Sequence, residues 1–543
     1  MRTTRWLLLL ILCALLTLPR PAYALGVWQP AAAMLGQHTY GKAVLLNDGR
    51  VLVIGGEVTA ATEIFDPRTN RWLSTGDIEN SSGTAVLLND GSVLVAGGRP
   101  LLSPHGVFAS VLRFIPATNS WQPAAPMLRS RAGHTLTLLR DGRVLAAGGI
   151  DQVAATGIRT NTTELYDPAS NSWSPGPPMN VARAGHTATF LADGRFLLLG
   201  GDENGATAEI YDPASNSWQL AAPPPQVRTG HTATWLPNNT VLVVGDGSAD
   251  LYDPASNSWH AAGVMLTARV GAAHSANLLP GGQVLVAGGW QQTADGAQTR
   301  ILTNAELYDW TLNRWLPTTP LATPRAGQVA VVLPSFALLV AGGYSDGGRG
   351  PLPGGANGVQ LTSTVLYADA TTPEHCFAET NFCVRGPFLR YWQAHGGLAI
   401  NGYPISNEFV QVLEDGNAYT VQYFERVRME YHANNAPPFD ILLGQFGRRL
   451  HPAEPPVARA AGATYFPATG HNVRGSFLRY WQRNGGLAQF GYPLSEEFTE
   501  TLEDGQSYVV QYFERARFEH HPENRPPFDV LLGQFGRHML GGG

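Results

Sequence analysis

The sequence predicts an all-β fold built from a repeated four-stranded unit, followed by two small α+β modules. The unit is clearest from Arg183 to Trp218, where one apolar run ends at an Asp-Gly turn and a second ends at Gly-Gly. A third apolar run, a Pro/Asn-rich turn and a tryptophan complete it. Asp-Gly between short apolar runs is a strong β-hairpin signal. Because the unit occurs seven times at a period of roughly 40–55 residues, the sequence predicts the blades of a β-propeller.

The chain begins with the features of a secretory signal peptide. Arg2 and Arg5 precede an apolar segment from Trp6 to Leu18, and Ala22-Tyr23-Ala24 follows as a cleavage site. The apolar segment is too short to span a bilayer comfortably. We therefore expect residues 1–24 to be removed near Ala24. The mature protein is expected to be secreted or associated with the cell envelope, without a transmembrane segment.

Composition limits the classes of function. The 543-residue chain is long enough for two or three domains, and its 44% of hydrophobic residues permits a packed core. A net charge of −6 gives no basic footprint, so we expect no nucleic-acid partner. Lys42 is the single lysine of the chain, which argues against a lysine nucleophile or Schiff base.

Two series of residues indicate how the ring of blades closes. Seven glycine-marked strand ends occur, but only six are followed by a tryptophan. The glycine marks are Gly55-Gly56, Gly97-Gly98, Gly148-Gly149, Gly200-Gly201, Gly245-Asp246-Gly247, Gly288-Gly289 and Gly342-Gly343, and the tryptophans are Trp72, Trp121, Trp173, Trp218, Trp259 and Trp315. The missing tryptophan is Trp28, ahead of the first unit. We predict that the N-terminal strand completes the seventh blade, since closure removes open sheet edges.

The marks within each unit identify a family resemblance. Glu209, Tyr211, Asp212, Pro213 and Trp218 follow Gly-Gly at offsets that other units repeat. This pattern resembles the kelch-repeat family, and within it the galactose-oxidase-like propellers of bacteria. The resemblance covers residues 26–370 and implies a seven-bladed kelch-type β-propeller.

Three sets of repeated polar residues are assigned to the scaffold. A residue that every blade needs serves the blade's own hydrogen bonding rather than a single site. The sets are His38, His134, His186, His231 and His274, then Arg131, Arg183, Arg228, Arg269 and Arg325, and then Glu63, Glu164, Glu209 and Glu306.

The blades differ most in the loops between their second and third strands. Four of these loops are long, and they begin at Arg99, Ile150, Trp290 and Tyr344. Insertions on one face of a repeat architecture mark its binding face, with tolerated loop drift as the alternative. The predicted binding residues are Arg99, His105, Phe108, Asp151, Arg159, Trp290, Arg300, Tyr344, Asp346 and Arg349.

The resemblance also implies a copper site, which this sequence does not match. Galactose-oxidase-like enzymes carry copper on two tyrosines and two histidines, with one tyrosine cross-linked to a cysteine. The chain has no cysteine between Cys13 and Cys376, and the predicted propeller has no adjacent Tyr-His pair. We therefore expect no catalytic residues, no metal and no cofactor. A hydrolase with paired carboxylates at the propeller mouth stays open as an alternative, although no spacing singles out a pair.

A second duplication follows the propeller. Residues 385–450 and 465–540 form two copies, with a Cys-containing linker at 371–384 and a Pro/Ala linker at 451–464. Each copy reads as an amphipathic helix stopped by Gly-Gly, with Phe477, Tyr480 and Trp481 on one face of the second helix, and then a hairpin. The pattern FLRYWQ…GGLA…GYPLSEEF resembles LGFP-type repeats of exported bacterial proteins, which implies attachment to the cell envelope.

Two pairings in this region are open at the level of sequence. Cys376 and Cys383 are expected to form a disulfide in an oxidising compartment, with a two-ligand metal site as the competitor. A charged set occurs at the same positions in both copies, and internal salt bridges are favoured over two equivalent ligand sites. The set is Glu425, Arg426 and Glu430 in the first copy and Glu514, Arg515 and Glu519 in the second.

These observations predict an exported binding protein without enzymatic activity. The propeller face would bind a protein or glycan, and the C-terminal repeats would associate with the envelope, including cell-wall material. The alternative is a carbohydrate-active enzyme, either a hydrolase or an oxidoreductase without a copper radical, with its site at the propeller mouth. A purely structural surface protein is a third possibility.

Overall fold

The fold is described from a computed structural model of the chain. Residues 26–543 are described except for 81, 101–105, 152–157, 229, 293–298, 347–357, 369–373, 416–417, 433–434, 436–438, 526–527 and 541–543. The predicted signal peptide, its cleavage point near Ala24, and the predicted binding residues His105 and Arg349 lie outside the described residues. No helix within the described ranges is long and apolar enough to cross a bilayer.

Residues 27–368 form a series of antiparallel sheets that we number 1 to 7 along the chain. Each of sheets 1 to 6 has four main strands that pair in chain order. Sheet 1 contains Lys42–Leu45, Val51–Ile54, Ala61–Asp66 and Arg71–Asp77. Sheet 2 contains Thr84–Leu87, Val93–Ala96, Val111–Ile115 and Ser120–Ala124. Sheet 3 contains Thr135–Leu138, Val144–Ala147, Thr163–Asp167 and Ser172–Pro175.

The later sheets repeat this order with local additions. Sheet 4 contains Thr187–Phe190, Phe196–Leu199, Ala208–Asp212 and Ser217–Leu220. Sheet 5 contains Thr232–Trp235, Val241–Gly245, Ser248–Asp253 and Ser258–Ala261. Sheet 6 contains Val270–Leu278, Val284–Gln292, Ala305–Asp309 and Arg314–Pro317, with Thr299–Ile301 added beside its second strand. Sheet 7 contains Val329–Val332, Leu338–Ala341, Thr364–Ala368 and the N-terminal strand Val27–Ala31. Two short hairpins, Ile150–Asp151 with Ile158–Arg159 and Tyr344–Ser345 with Val359–Gln360, lie in the long loops.

The second strand of each sheet lies in the core. Val51–Ile54 and Phe196–Leu199 are buried along their whole length, which explains why these strands read as continuous apolar runs. The apolar clusters join neighbouring sheets, as where Leu145 of sheet 3 packs with Phe196 and Leu198 of sheet 4. The core of this region therefore lies between the faces of successive sheets.

The N-terminal strand completes sheet 7 in the way the tryptophan count predicts. Val27–Ala31 pairs with Thr364–Ala368. Trp28 lies opposite Tyr367, and the centroids of the two rings are 4.9 Å apart. Tyr211 and Trp218 of sheet 4 pair in the same register at 4.8 Å. The first strands of successive sheets lie next to one another, and the first strand of sheet 7 also lies next to that of sheet 1.

Residues 374–540 form two α+β modules of matching structure. Module 1 contains the hairpin Glu374–Phe377 and Phe382–Arg385, helices Gly386–Ala394 and Gly397–Asn401, a sheet of Phe409–Val412, Ala418–Tyr423, Arg428–Tyr431 and Ile441–Leu443, and helix Phe446–Leu450. Module 2 contains Thr464–Phe466 and His471–Val473, helices Gly475–Arg483 and Gly486–Phe490, a sheet of Phe498–Thr501, Ser507–Tyr512, Arg517–His520 and Val530–Leu532, and helix Phe535–Leu540. Residue n of module 1 corresponds to residue n + 89 of module 2.

Each module is larger than the helix and hairpin expected from its sequence. The segment predicted as a Cys-containing linker forms the first hairpin of module 1, where a disulfide joins Cys376 to Cys383. Phe377 and Val384 of this hairpin belong to the apolar cluster of module 1. Phe466 and Val473 have the same role in module 2, so its first strand begins inside the predicted Pro/Ala linker.

The two modules exchange equivalent contacts. Arg448 of module 1 binds Glu514 of module 2 at 2.5 Å, and the equivalent residues Arg537 and Glu425 are joined at the same distance. A shared apolar cluster that includes Phe446 and Phe535 lies between them. The modules are therefore paired about an approximate twofold axis.

Module 1 also contacts the sheets at one end. We call this the turn end, because the turns between first and second strands lie there, and the opposite end the loop end. Arg390 donates a hydrogen bond to the carbonyl of Pro280 (3.1 Å), and Thr420 donates one to the carbonyl of Pro334 (2.6 Å). A cavity of about 420 Å³ lies between module 1 and the first strands of sheets 1, 5, 6 and 7. Module 1 thus covers part of the turn end and leaves the loop end to carry a site.

Candidate functional site

The repeated charged residues form buried networks inside the sheets. Arg183 and Glu209 are both fully buried and are joined at 2.8 Å, and Arg183 also donates to the carbonyl of Gly200 (2.6 Å). Equivalent ion pairs join Arg131 to Glu164, Arg228 to Asp250 and Arg269 to Glu306. Charges removed from water are retained only when paired and hydrogen-bonded, so these residues serve the scaffold.

The prediction that His38 belongs to the series of repeated histidines is wrong. His38 binds Glu63 at 3.0 Å and contacts the carbonyl of Gly55 (2.7 Å), as Arg183 binds Glu209 and the carbonyl of Gly200. It therefore has the position of the arginines, and the residue aligned with His134 and His186 is Gly41. The error arose because alignment on the histidine shifts sheet 1 by three residues.

The true histidine series links neighbouring sheets. His186 contacts the hydroxyl of Thr135 at 3.0 Å, and His231 contacts that of Thr187 at 2.9 Å. Burial lowers the pKa of His134, His186 and His274 to about 3 and that of His231 to about 4. These imidazoles are therefore neutral structural groups at physiological pH.

Tyr40 has a backbone conformation that five of the other six sheets reserve for glycine. Two residues after the Arg/His position, five sheets carry glycine with φ between 64° and 71°, at Gly133, Gly185, Gly230, Gly271 and Gly327. Tyr40 occupies this position in sheet 1 with φ of 56°. A Cβ atom added to Gly185 would meet no neighbour within 4 Å, so the position faces open space. Strained conformations of this kind concentrate at functional sites.

Tyr40 belongs to an aromatic cluster at the loop end, which we define as Tyr40, Trp290 and Tyr344. The hydroxyls of Tyr40 and Tyr344 lie 3.4 Å apart, and the Trp290 ring meets Tyr344 edge-on with centroids 6.3 Å apart. Gly327 lies under both tyrosines, since an added Cβ would be 3.3 Å from each ring. Sheets 1, 6 and 7, from the two ends of the repeat region, thus contribute to one surface.

Burial favours the neutral form of both tyrosines of this cluster and of Lys42, which follows Tyr40 by two residues. Burial raises the pKa of Tyr344 and of Tyr40 above the ordinary tyrosine value. Lys42 begins the first strand of sheet 1, with the first strands of sheets 2 and 7 on either side of it. Burial of its surroundings lowers the pKa of Lys42, while Glu57 opposes that shift.

The structure brings together only some of the predicted binding residues. Trp290 and Tyr344 meet directly. Asp151 instead accepts hydrogen bonds from Arg129 (3.2 Å) and Ser130 (3.1 Å), which ties it to its own loop. Arg99 is held through its backbone by the Ser82 hydroxyl (2.6 Å).

The remaining predicted residues lie on separate parts of the long loops. Phe108 is half-buried, Arg159 and Arg300 are exposed on short strands, and Asp346 is buried with an interaction partner. Tyr40 was not predicted as a binding residue. Its signal was the departure of His-Thr-Tyr-Gly-Lys in sheet 1 from Arg-Ala-Gly-His-Thr in sheet 3.

The residues at the loop end do not fit a copper site of two tyrosines, two histidines and a cysteine. Tyr40 and Tyr344 come together, but His38, two residues before Tyr40, binds Glu63 and the carbonyl of Gly55 inside sheet 1. Among the described residues, the one group of His, Cys, Asp or Glu spaced to hold a metal is Glu374 with Cys376 and Cys383. Its thiols are joined in the disulfide.

The repeated charges of the modules are structural pairs, although not all lie within one module. Arg428 binds Glu430 at 2.6 Å, and Arg517 binds Glu519 at 2.8 Å. Glu425 and Glu514 instead bind arginines of the opposite module. Arg426 and Arg515 donate to backbone carbonyls in their own modules, at Leu398 and Leu487.

Comparisons with known proteins agree with this architecture. A family model described as the Kelch motif matches residues 134–180. Galactose oxidase of Gibberella zeae is 34% identical over 95 residues, which is 17% of this chain and 14% of that protein. Kelch-like protein 33 of Homo sapiens is 31% identical over 93 residues, covering 17% and 16% of the two chains. The solved structure of a fungal alcohol oxidase of the AA5 family, in complex with copper, matches with a TM-score of 0.53 and 15% identity over 75% of this chain and 97% of that one.

These similarities support a kelch-type β-propeller for the sheet region. The matched regions span less than a fifth of the lengths of these two curated relatives. At 15% identity, the likeness to the alcohol oxidase shows the fold alone. The kelch-like relatives and the oxidases together leave an enzymatic role open.

Proposed function

We propose that this protein is an exported binding protein whose loop end binds a glycan. In this proposal sheets 1 to 7 form a closed seven-bladed kelch propeller, with the N-terminal strand completing the last blade. Two observations support closure, namely the pairing of Val27–Ala31 with Thr364–Ala368 and the adjacency of the first strands of sheets 7 and 1. Closure gives the ring a mouth at the loop end, where the aromatic cluster lies.

The aromatic cluster carries the proposal for the ligand. Tyr40, Trp290 and Tyr344 combine apolar ring surfaces with the phenol hydroxyls of the two tyrosines, which can form hydrogen bonds. A sugar ring has the complementary character, with an apolar C–H face and hydroxyls at its edge. The left-handed backbone of Tyr40, where five sheets use glycine, supports selection for the ring at this place.

The C-terminal modules are proposed to attach the protein to the cell envelope. Their FLRYWQ…GGLA…GYP pattern resembles LGFP-type repeats, and the basic and apolar N-terminus of the chain has the pattern of an exported protein. Glycan binding by the propeller and attachment by the modules would together hold the protein at a cell surface.

A glycan array with the mature protein tests the ligand class. Binding to defined glycans is expected, and Tyr344→Ala should weaken it by about tenfold or more, because one stacked aromatic ring is worth about 0.5–1.5 kcal/mol beyond its buried area. Phe190→Ala is the matched control, since Phe190 is an exposed aromatic residue on the first strand of sheet 4. Binding of the mature protein to proteins but to no glycan would contradict the proposal in favour of a protein ligand.

Sedimentation with isolated cell envelopes tests the attachment. The mature protein is expected in the pellet, and a chain that ends at residue 368 is expected in the supernatant. Equal distribution of the two chains would contradict a role of the modules in attachment.

A carbohydrate-active enzyme is the second candidate, and the similarity to galactose oxidase favours it. Measurement of product formation from any glycan bound on the array distinguishes the two candidates. Turnover that Tyr344→Ala abolishes would favour the enzyme, whereas binding without product favours the binding protein.

A further inference from the structure

The contact between module 1 and the propeller uses one well-defined face of the module. We define the docking face of module 1 as Arg390, Thr420, Tyr431 and Asp440. Two turns of the propeller occupy it. Arg390 binds the carbonyl of Pro280, and Thr420 binds the carbonyl of Pro334.

An aromatic side chain anchors the second of these turns. Phe336 follows Pro334 at the tip of the sheet 7 turn and belongs to the apolar cluster of module 1. Its ring centroid lies 5.0 Å from that of Tyr431 and 6.0 Å from that of Phe388. The docking face of module 1 is therefore a receptor for β-hairpin turns with an aromatic tip.

The corresponding face of module 2 keeps the arginine and the aspartate, has Val509 and His520 in place of Thr420 and Tyr431, and receives no turn among the described residues. Its equivalent residues are Arg479, Val509, His520 and Asp529. Val509 is 38% exposed where Thr420 is 5% exposed. Arg479 is exposed, and Asp529 is half-buried where Asp440 is buried.

Open cavities lie at both contact points of this second face. A cavity of about 390 Å³ is lined by Val509 and His520, which correspond to the residues that receive Pro334 and Phe336. A larger cavity of about 800 Å³ lies between the modules and is lined by Ala399, Ile400 and Arg426 of module 1 and by Arg479 and Asp529 of module 2, which correspond to the residues beside Pro280. Phe528 at its rim is 71% exposed.

We propose that the docking face of module 2 binds a β-hairpin turn with an aromatic tip from a partner protein. The aromatic side chain enters the cavity at Val509 and His520, as Phe336 enters module 1 beside Tyr431. Arg479 then donates a hydrogen bond to a backbone carbonyl of an adjacent turn, as Arg390 does to the carbonyl of Pro280. This inference is independent of the glycan-binding proposal, because it concerns the opposite end of the molecule.

The partner is a different protein rather than a second copy of this chain. The turns that fit the face best, at Pro280 and Pro334, are held by the chain's own module 1. An intramolecular contact of this kind has an effective concentration in the millimolar range, so a second copy competes poorly for it. The corresponding turns of sheets 1 to 4 carry Asp-Gly instead of an aromatic tip.

A hairpin peptide provides the probe. The peptide contains residues 329–341 of this chain, closed into a ring so that Pro334 and Phe336 lie at its turn, and its binding to the intact mature protein is measured by fluorescence anisotropy. One peptide is expected to bind per chain. A peptide with Phe336→Ala should bind about tenfold or more weakly, because a buried aromatic anchor dominates an interface of this kind.

Variants of the protein locate the binding. Val509→Asp should abolish binding, because a carboxylate enters the cavity for the aromatic tip. Leu487→Asp is the matched control, since Leu487 is similarly exposed at 42% but lines neither cavity, and it should bind the peptide as the wild type does. Circular dichroism and the melting temperature establish that both variants are folded.

Two outcomes would overturn the proposal. One is the absence of saturable binding at millimolar peptide, and the other is binding that Val509→Asp and the Phe336→Ala peptide leave unchanged. If Val509→Asp does not fold, Val509→Thr restores the residue of module 1 and should retain binding, so loss of binding in this variant would also contradict the inference. None of these results bears on glycan binding at the loop end.

Discussion

The hydroxyl groups of Tyr40 and Tyr344 lie 3.4 Å apart, although 304 residues separate them in the chain. Tyr40 precedes the first strand of sheet 1, and Tyr344 follows the second strand of sheet 7. Their contact therefore depends on the two ends of the repeat region coming together. The backbone amide of Tyr40 also donates to the carbonyl of Gly327 (2.8 Å). The proposed binding surface is thus assembled at the junction of the first and last sheets.

The first prediction concerns the backbone of Tyr40. Tyr40→Gly and Tyr40→Ala both remove the ring, but alanine retains a Cβ atom at a positive φ. We expect the glycine variant to be more stable than the alanine variant by about 1 kcal/mol, since left-handed backbone costs a residue with Cβ about that amount. Urea unfolding of the two variants measures the difference.

A comparison at an ordinary position provides the control. Ala188 lies within the first strand of sheet 4, so the protein with alanine there should be more stable than the Ala188→Gly variant. A Tyr40→Ala variant as stable as Tyr40→Gly would mean that the left-handed backbone carries no cost, and the argument from strain would fail. Both Tyr40 variants are expected to lose glycan binding.

The sequence was sufficient for the repeated parts of the fold. Trp28 was expected to complete the last sheet because seven glycine marks had six tryptophans, and its pairing with Tyr367 follows that count. Glu209 and Arg183 were assigned to the scaffold because their positions recur, and the structure buries them as a pair. A repeat supplies several copies of one physical requirement, which is why such residues can be recognised.

The candidate site was harder to predict from the sequence because its residues depart from the repeat. Trp290 and Tyr344 were found through the long loops they begin. Tyr40 was missed because the sequence does not reveal the three-residue shift that gives His38 the position of an arginine. The docking of module 1 was also not predicted, since Phe336 reads as a turn residue and its packing depends on another domain.

The second prediction concerns the buried ion pair of sheet 4. Glu209→Gln removes the carboxylate and leaves the fully buried Arg183 without its counter-charge. We expect a loss of about 3–5 kcal/mol in the free energy of unfolding, the usual result of breaking a buried pair. Denaturant unfolding measures it.

An exposed pair in the same sheet serves as the comparison. Asp193 binds Arg195 at 2.7 Å at the sheet 4 turn, and both side chains are substantially exposed. Asp193→Asn should cost less than about 1 kcal/mol, because water screens the pair. Equal losses for the two variants would show that burial of Arg183 does not control its dependence on Glu209.

The third prediction concerns acid stability. Burial lowers the pKa of His186 to about 3, so between pH 6.5 and about 3 the unfolded chain binds a proton that the folded chain does not. Stability from this group is complete above pH 6.5 and falls as the pH is lowered, by about 1.4 kcal/mol per pH unit. His134, His231 and His274 act in the same direction.

Sheet 7 suggests the variant that tests this dependence of stability on pH. Gln328 has the histidine position there and donates to the Ser275 hydroxyl (3.3 Å), which replaces the histidine–threonine contact. His186→Gln is therefore expected to fold and to show a smaller loss of stability than the wild type between pH 6.5 and 4 in chemical unfolding. An unchanged pH dependence would indicate that His186 is protonated in the folded protein.

The fourth prediction concerns Lys42. Its pKa is lowered by burial, so its amine should become reactive towards acylation at a lower pH than an ordinary lysine does. Because the chain has no other lysine, mass spectrometry after mild acetylation reports this side chain directly. Glu57 raises the pKa of Lys42, so Glu57→Gln should lower the midpoint of reactivity further. A midpoint at or above the ordinary value would contradict the placement of Lys42 among the first strands, and Lys42→Arg should remove the signal.

The last prediction concerns the pairing of the two modules. A Cβ atom on Gly536 would overlap the carbonyl oxygen of Phe424 in the opposite module, and Gly447 meets Phe513 in the same way. Gly536→Ala should therefore push the modules apart, at a cost of about 1–3 kcal/mol from overpacking. Separation should expose the shared apolar cluster that includes Phe446 and Phe535, and limited proteolysis at these aromatic residues measures the effect. His538→Ala changes an exposed residue of the same helix and should leave proteolysis unchanged. If Gly536→Ala also resists cleavage, the modules are not held together through the contact between Gly536 and Phe424.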